Sequence, residues 1–183
     1  MEKKLNFVNH IHLKMLVNIQ FFVLLDLSLI STLKNFFAQS EMKSITFSEK
    51  FNTETIEYMN GMFKYCNNLT SINLSYFNTK NVKDMEYMFY ECSSLISLDL
   101  SNFNTRNVLT MKSMFRNCKK LQFINITEFD TSKVREMTEM FENCTKLKSL
   151  DLSNFNTQNV KNMTKMFRSS SSLISLDLSS FDT

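Results

Sequence analysis

Four cysteines stand at Cys66, Cys92, Cys118 and Cys144, each 26 residues after the last, and Ser170 takes the next place in the column. Four thiolates would hold zinc if they converged on one point, usually from paired C-x-x-C clips. This chain has no such clip, and one cysteine per period places the sulfurs along an axis rather than around a centre. Neighbours in such a column can approach disulfide distance, which an extracellular setting would permit. The serine at position 170 favours the plainer role of a small buried residue. Ten methionines keep the same beat, from Met59 with Met62 to Met163 with Met166. A row of thioethers would suit copper or an adaptable binding face, but pairs three residues apart fit core filling better.

Other chemistry-bearing residues are sparse. His10 and His12 are the only histidines, and no Gly-rich phosphate loop, G-x-S-x-G or H-E-x-x-H occurs. No catalytic constellation, cofactor or metal is expected, so the chain reads as a non-enzyme. Net charge is +3, weak for a nucleic-acid binder, and no nucleic-acid partner is expected. Arg106, Lys112, Arg116, Lys119 and Lys120 crowd one stretch, and Glu136, Glu139 and Glu142 follow one period later, so a solvated face is the simpler account. Five N-x-[ST] sequons, at Asn68, Asn73, Asn125, Asn143 and Asn162, are what a repeat rich in Asn and Ser produces unaided.

The elements that must position these residues follow from one period. Phe51, Phe77, Phe103, Phe129, Phe155 and Phe181 recur every 26 residues without insertion or deletion, which marks a solenoid or related array. Within a unit, Val82, Met85, Met88, Phe89 and Cys92 fall on one helical stripe. Asn78 would cap that helix, with Phe77 and Val82 as its hydrophobic staple. Downstream, Leu98 and Leu100 alternate with polar neighbours and predict a short strand with one buried face. The expected fold is an α/β solenoid: a right-handed array of helix–strand coils with a parallel sheet on one face. The expected core columns are Phe77, Phe103, Phe129 and Phe155; Met88 with Phe89, Met114 with Phe115 and Met140 with Phe141; and the four cysteines.

The run M-F-x-x-C-x-x-L-x-x-L-D-L-S-x-F-[ND]-T-x-x-V-x-x-M resembles the 26-residue repeat of the BspA-like leucine-rich-repeat family, over Phe51 to Thr183. That resemblance implies surface display, adhesion or host-protein binding. Localisation is then expected at the cell surface or outside the cell, with a cytoplasmic scaffold as the alternative.

The outward strand positions are the candidate binding face: Ser97, Asp99, Ser101, Phe123, Asn125, Ser149, Asp151, Ser175 and Asp177. Small polar side chains suit a crowded sheet face, and calcium is disfavoured because Asn alternates with Asp outside any clustered loop. Phe123 breaks the serine column and is a candidate anchor for a protein or glycan partner.

Residues 1–41 carry two readings. Lys3 and Lys4 before an apolar stripe fit a secretory signal or membrane anchor. Yet Asn18, Gln20 and Asp26 interrupt the run, well short of the ~20 residues of a spanning helix. The other reading is an apolar helix over a degenerate capping repeat, in which Leu33, Phe36 and Phe37 imitate the helix half and Ile45 the strand, one residue out of register. Residues 42–183 are the repeat array, expected to continue beyond Thr183 or to self-associate end to end through its last strand.

Overall fold

The computed structural model describes Leu27 and residues 29–182. The apolar helix expected ahead of the capping repeat, and the apolar stripe on which the signal or anchor reading rests, lie outside the described residues. No helix among the described residues is long and apolar enough to cross a membrane.

The chain winds into stacked coils that follow the 26-residue period. Four successive coils each present one short strand: β1 (Ser44–Thr46), β2 (Ser71–Asn73), β3 (Ser97–Asp99) and β4 (Phe123–Asn125), while the equivalent residues 149–151 and 175–177 form none. β1 pairs with β2 and β3 with β4, both in parallel. Leu98 faces Ile124, one full period apart. Ile45 faces Ile72, where a strict repeat would put Thr46, so this coil carries the one-residue slip that its sequence predicts.

The expected helix half is corrected by the structure. Among the described residues no α-helix forms; Met59–Cys66 and its equivalents are a ribbon of turns. In one coil the N–H groups of Met62, Lys64 and Cys66 donate three residues back, to Met59, Gly61 and Phe63 C=O. The N–H groups between them, on Met59, Gly61, Phe63 and Tyr65, donate across to Asp84, Glu86, Met88 and Tyr90 C=O of the next coil, at 2.8–3.0 Å. A helix would have spent those donors within itself. The ribbon spends alternate donors on its neighbour, and the pattern recurs at each junction down to Asn143 N–H on Arg168 C=O.

Two columns of left-handed residues make the ribbon turn. Asn35, Gly61, Tyr87, Ser113, Glu139 and Lys165 form one; Gln39, Tyr65, Glu91, Asn117, Asn143 and Ser169 form the other, with φ between 51° and 65° throughout. Each such residue costs an L-amino acid strain, which the ladder on both sides over-determines.

The expected cap is also corrected. Asn78 Oδ1 accepts from Lys80 N–H, two residues on, and Asn52, Asn104, Asp130 and Asn156 do the same. These are Asx turns rather than helix caps. The strand-end ladder repeats the device, with Asn73, Asp99, Asp151 and Asp177 accepting from the backbone two residues ahead. Asx turns thus bend a chain that holds one glycine and no proline.

Apolar columns fill the coil interior. Phe63, Phe89, Phe115, Phe141 and Phe167 stack ring on ring, 5.2–5.8 Å between centroids. Phe77, Phe103, Phe129 and Phe155 line a second buried column. Met88, Met114 and Met140 are fully buried beside the first, so the thioethers face no solvent.

Candidate functional site: the strand face and the ribbon face

The cysteines close the core between ribbon and strand. Cys66, Cys92, Cys118 and Cys144 are free and buried. Each S–H donates to the previous coil, Cys92 to Phe63 C=O and Cys118 to Phe89 C=O, both at 3.2 Å. Ser170 Oγ makes the equivalent bond to Phe141 C=O at 2.6 Å. The column therefore selects a small donor, not size alone. Burial pushes the Cys66 and Cys144 thiols up to about 12, and Cys92 and Cys118 well above the ordinary value. Such thiols are protonated and unreactive at neutral pH. Among the described residues no group of three or more His, Cys, Asp or Glu is placed to hold a metal ion.

On the strand face, Leu98 and Leu100 point inward while Ser97, Asp99, Ser101, Ser149, Asp151, Ser175 and Asp177 are exposed and Asn125 is half-buried. The carboxylates are turned to local work. Asp151 Oδ1 accepts Ser153 Oγ at 2.6 Å and its N–H at 3.0 Å, and the Ser153 hydroxyl holds this carboxyl below its usual range. Asp177 is likewise lowered, chiefly by the Ser179 N–H. One large apolar ring stands out among these small polar groups. Phe123 is 61% exposed, and beside it β3, β4 and Ser149 bound a groove of about 320 Å³. Ile96, in the residue row next to Phe123's, is 45% exposed.

The ribbon face holds what the sequence reading passed over. Lys64 Nζ lies 4.7 Å from the Tyr87 ring centre, 5.1 Å from Tyr65 and 5.2 Å from Tyr90. Tyr65 and Tyr87 each meet Tyr90 edge to face, at 5.3 and 5.5 Å. The signal was present, since writing the units under one another puts Tyr90 in the column of Lys64, beside that of Tyr65, with Tyr87 three places before it. Two of the five basic residues of the third unit are answered here. Arg116 pairs with Glu139 at 2.7 Å and lies 2.9 Å from Glu142, out of hydrogen-bond alignment, and Lys112 reaches Glu86 at 3.6 Å. Arg106, Lys119 and Lys120 have no carboxylate partner among the described residues.

A second omission is structural. Thr53, Thr79, Thr105, Thr131 and Thr157 are buried, and each hydroxyl bonds the backbone of the next coil at the Asx residue.

An array of this kind, with no catalytic cluster described and its free side chains on the coil faces, belongs to the class of repeat solenoids. The chain is a member of the family described as "Mycoplasma protein of unknown function, DUF285", which matches residues 14–123 and 96–183. No curated protein matches it. Among solved structures it is similar to a leucine-rich repeat protein from Eubacterium ventriosum, at 20% identity and a TM-score of 0.45. That likeness covers 71% of this chain and 31% of the other. A leucine-rich cell surface protein from Faecalibacterium prausnitzii gives 14% identity and a TM-score of 0.38, over 63% of this chain and 41% of that one. A T. pallidum leucine-rich repeat protein gives 11% identity and 0.29, over 63% and 70%. The resemblance is thus to bacterial leucine-rich repeat proteins, and the chain spans about a third of the first one's length. At these scores the solenoid is defined by the chain's own coil-to-coil bonding.

Proposed function

We propose that this protein is a non-enzymatic binding module, displayed at a cell surface or secreted, that presents its strand face to a protein or glycan. The observation that carries the reading is Phe123, a large ring 61% exposed above a groove on an otherwise small and polar face. Exposed aromatics flanked by polar groups are the usual anchors of interfaces. Solenoids present such faces because one rigid stack can display many independent surface positions.

The column supplies its own conservative variant, since Ser71, Ser97, Ser149 and Ser175 occupy the positions equivalent to Phe123. Phe123→Ser should leave the thermal melt unchanged and abolish binding to immobilised extracellular-matrix proteins or to intact host cells. Binding that survives the substitution would remove the strand face from the function. The alternative, an intracellular interaction scaffold, draws support from the four free, buried cysteines, which suit a reducing compartment. Fractionation separates the two, because protein found only in cytosol would exclude surface display.

A further inference from the structure

Among the described residues, the repeat slips in register at the coil that carries β1, and there it also opens. Gln122 N–H donates to Ile96 C=O one full period back, but Thr70 N–H donates to Lys43 C=O, where the repeat would put Ser44. The coil containing Ser40 is therefore one residue short at this corner. The shortfall coincides with a cleft of about 670 Å³, lined by Gln39, Ser40, Glu41, Tyr65, Asn67 and Asn68.

We infer that this cleft is a binding site for a neutral saccharide, with the Tyr65 ring as its platform. Tyr65 is held rather than free, its ring edge-to-face with Tyr90 at 5.3 Å and 5.1 Å from the Lys64 ammonium. The apolar face of a sugar ring stacks on such a platform, while its hydroxyls need donors and acceptors together. Gln39, Asn67 and Asn68 offer both from one side chain, Ser40 adds a hydroxyl and Glu41 an acceptor pair. Further along the array the same columns are spent internally. Asn117 donates to Glu91, Asn143 to Asn117, Thr145 to Lys119 C=O and Ser172 to Thr145 C=O. At the cleft, the side-chain amides of Gln39, Asn67 and Asn68 make no such bond to described residues. The lining contains no cation, and the nearby Lys64 is engaged by three tyrosine rings, so a neutral ligand fits better than a phosphate or sulfate.

The test uses the full chain with methyl β-glucoside, methyl β-galactoside, methyl N-acetyl-β-glucosaminide and a sulfated heparin fragment as probes. Backbone amide NMR shifts and tyrosine fluorescence are followed. At least one neutral probe should give saturable shifts at Tyr65, Asn67 and Asn68 that are insensitive to salt. Tyr65→Asn should weaken that binding by about tenfold or more, a loss of about 1.4 kcal/mol. Asn occupies the same left-handed column at positions 117 and 143, so the variant should fold. Shifts confined to the Tyr65 cleft, with none at Phe123, separate this site from the strand face. No saturable shift with any neutral probe, binding that survives Tyr65→Asn, or salt-sensitive binding of the heparin fragment alone would each overturn the assignment.

Discussion

Thr105 and Asp130 clasp one coil to the next through a single oxygen. Thr105 Oγ1 donates to Asp130 C=O at 2.9 Å and accepts Asp130 N–H at 2.8 Å. Both partners are backbone groups, so the clasp is indifferent to the side chain at position 130. Thr79 does the same for Asn104, at 3.0 and 2.8 Å, and Thr131 for Asn156, at 2.9 and 2.7 Å. Thr105→Val keeps the shape and removes the oxygen. It should cost about 1–3 kcal/mol for each backbone group left unpaired, read as a lowered urea midpoint. Thr105→Ser should recover most of that, and an unchanged midpoint in the valine variant would show that water replaces the hydroxyl.

The column of stacked rings gives a second expectation. Phe115 is fully buried and lies 5.8 Å from the Phe89 ring centre and 5.2 Å from that of Phe141. Phe115→Ala removes contacts on both sides at once and should destabilise by about 3–5 kcal/mol. A loss below about 1 kcal/mol would place the ring at the surface.

Much of this was legible in the residues. The period, the buried columns and the strand around Leu98 follow from which positions are apolar. The ribbon was not, for a physical reason. Met85, Met88, Phe89 and Cys92 point inward from successive four-residue turns, just as they would from a helix, because both bring residues three apart to one side. The two differ only in where Phe89 N–H goes, and it goes to Met114 C=O of the next coil. Side-chain pattern does not record that choice. The tyrosine and lysine cluster was missed differently, since it joins columns of neighbouring coils and is visible only when the units are aligned.

The thiol column makes stability depend on alkaline pH. Cys66 and Cys144 stand at about 12 in the fold against an ordinary 9.0, raised by burial. Between those values the unfolded chain loses protons that the folded chain keeps. Stability is therefore fully present below about pH 9 and falls as pH rises toward 12. Cys92 and Cys118 are shifted in the same direction and add to the fall. Lysines and tyrosines titrate there too, so the comparison is with a variant carrying serine at all four positions. Ser170 shows that serine keeps the hydrogen bond. Urea midpoints from pH 8 to 11 should decline more steeply for the parent, and parallel curves would mean that the thiols are solvated.

Gly61 and Ser169 test the left-handed columns from opposite sides. Gly61 has φ 65° and Ser169 φ 61°, in the two columns that turn the ribbon. A Cβ at Gly61 would lie 2.1 Å from Asn35 Oδ1, but that atom ends a flexible side chain and can swing aside. What it cannot relieve is the backbone, so Gly61→Ala should cost about 1–2 kcal/mol. Ser169→Gly removes the same strain at an exposed position. Against that gain stands about 0.5–1 kcal/mol of extra unfolded-chain entropy, so the net effect should be a stabilisation of about 0–1.5 kcal/mol. Differential scanning calorimetry on both variants reads the pair. If Gly61→Ala melts with the parent, the ladder across to Glu86 is not what fixes the turn at that position.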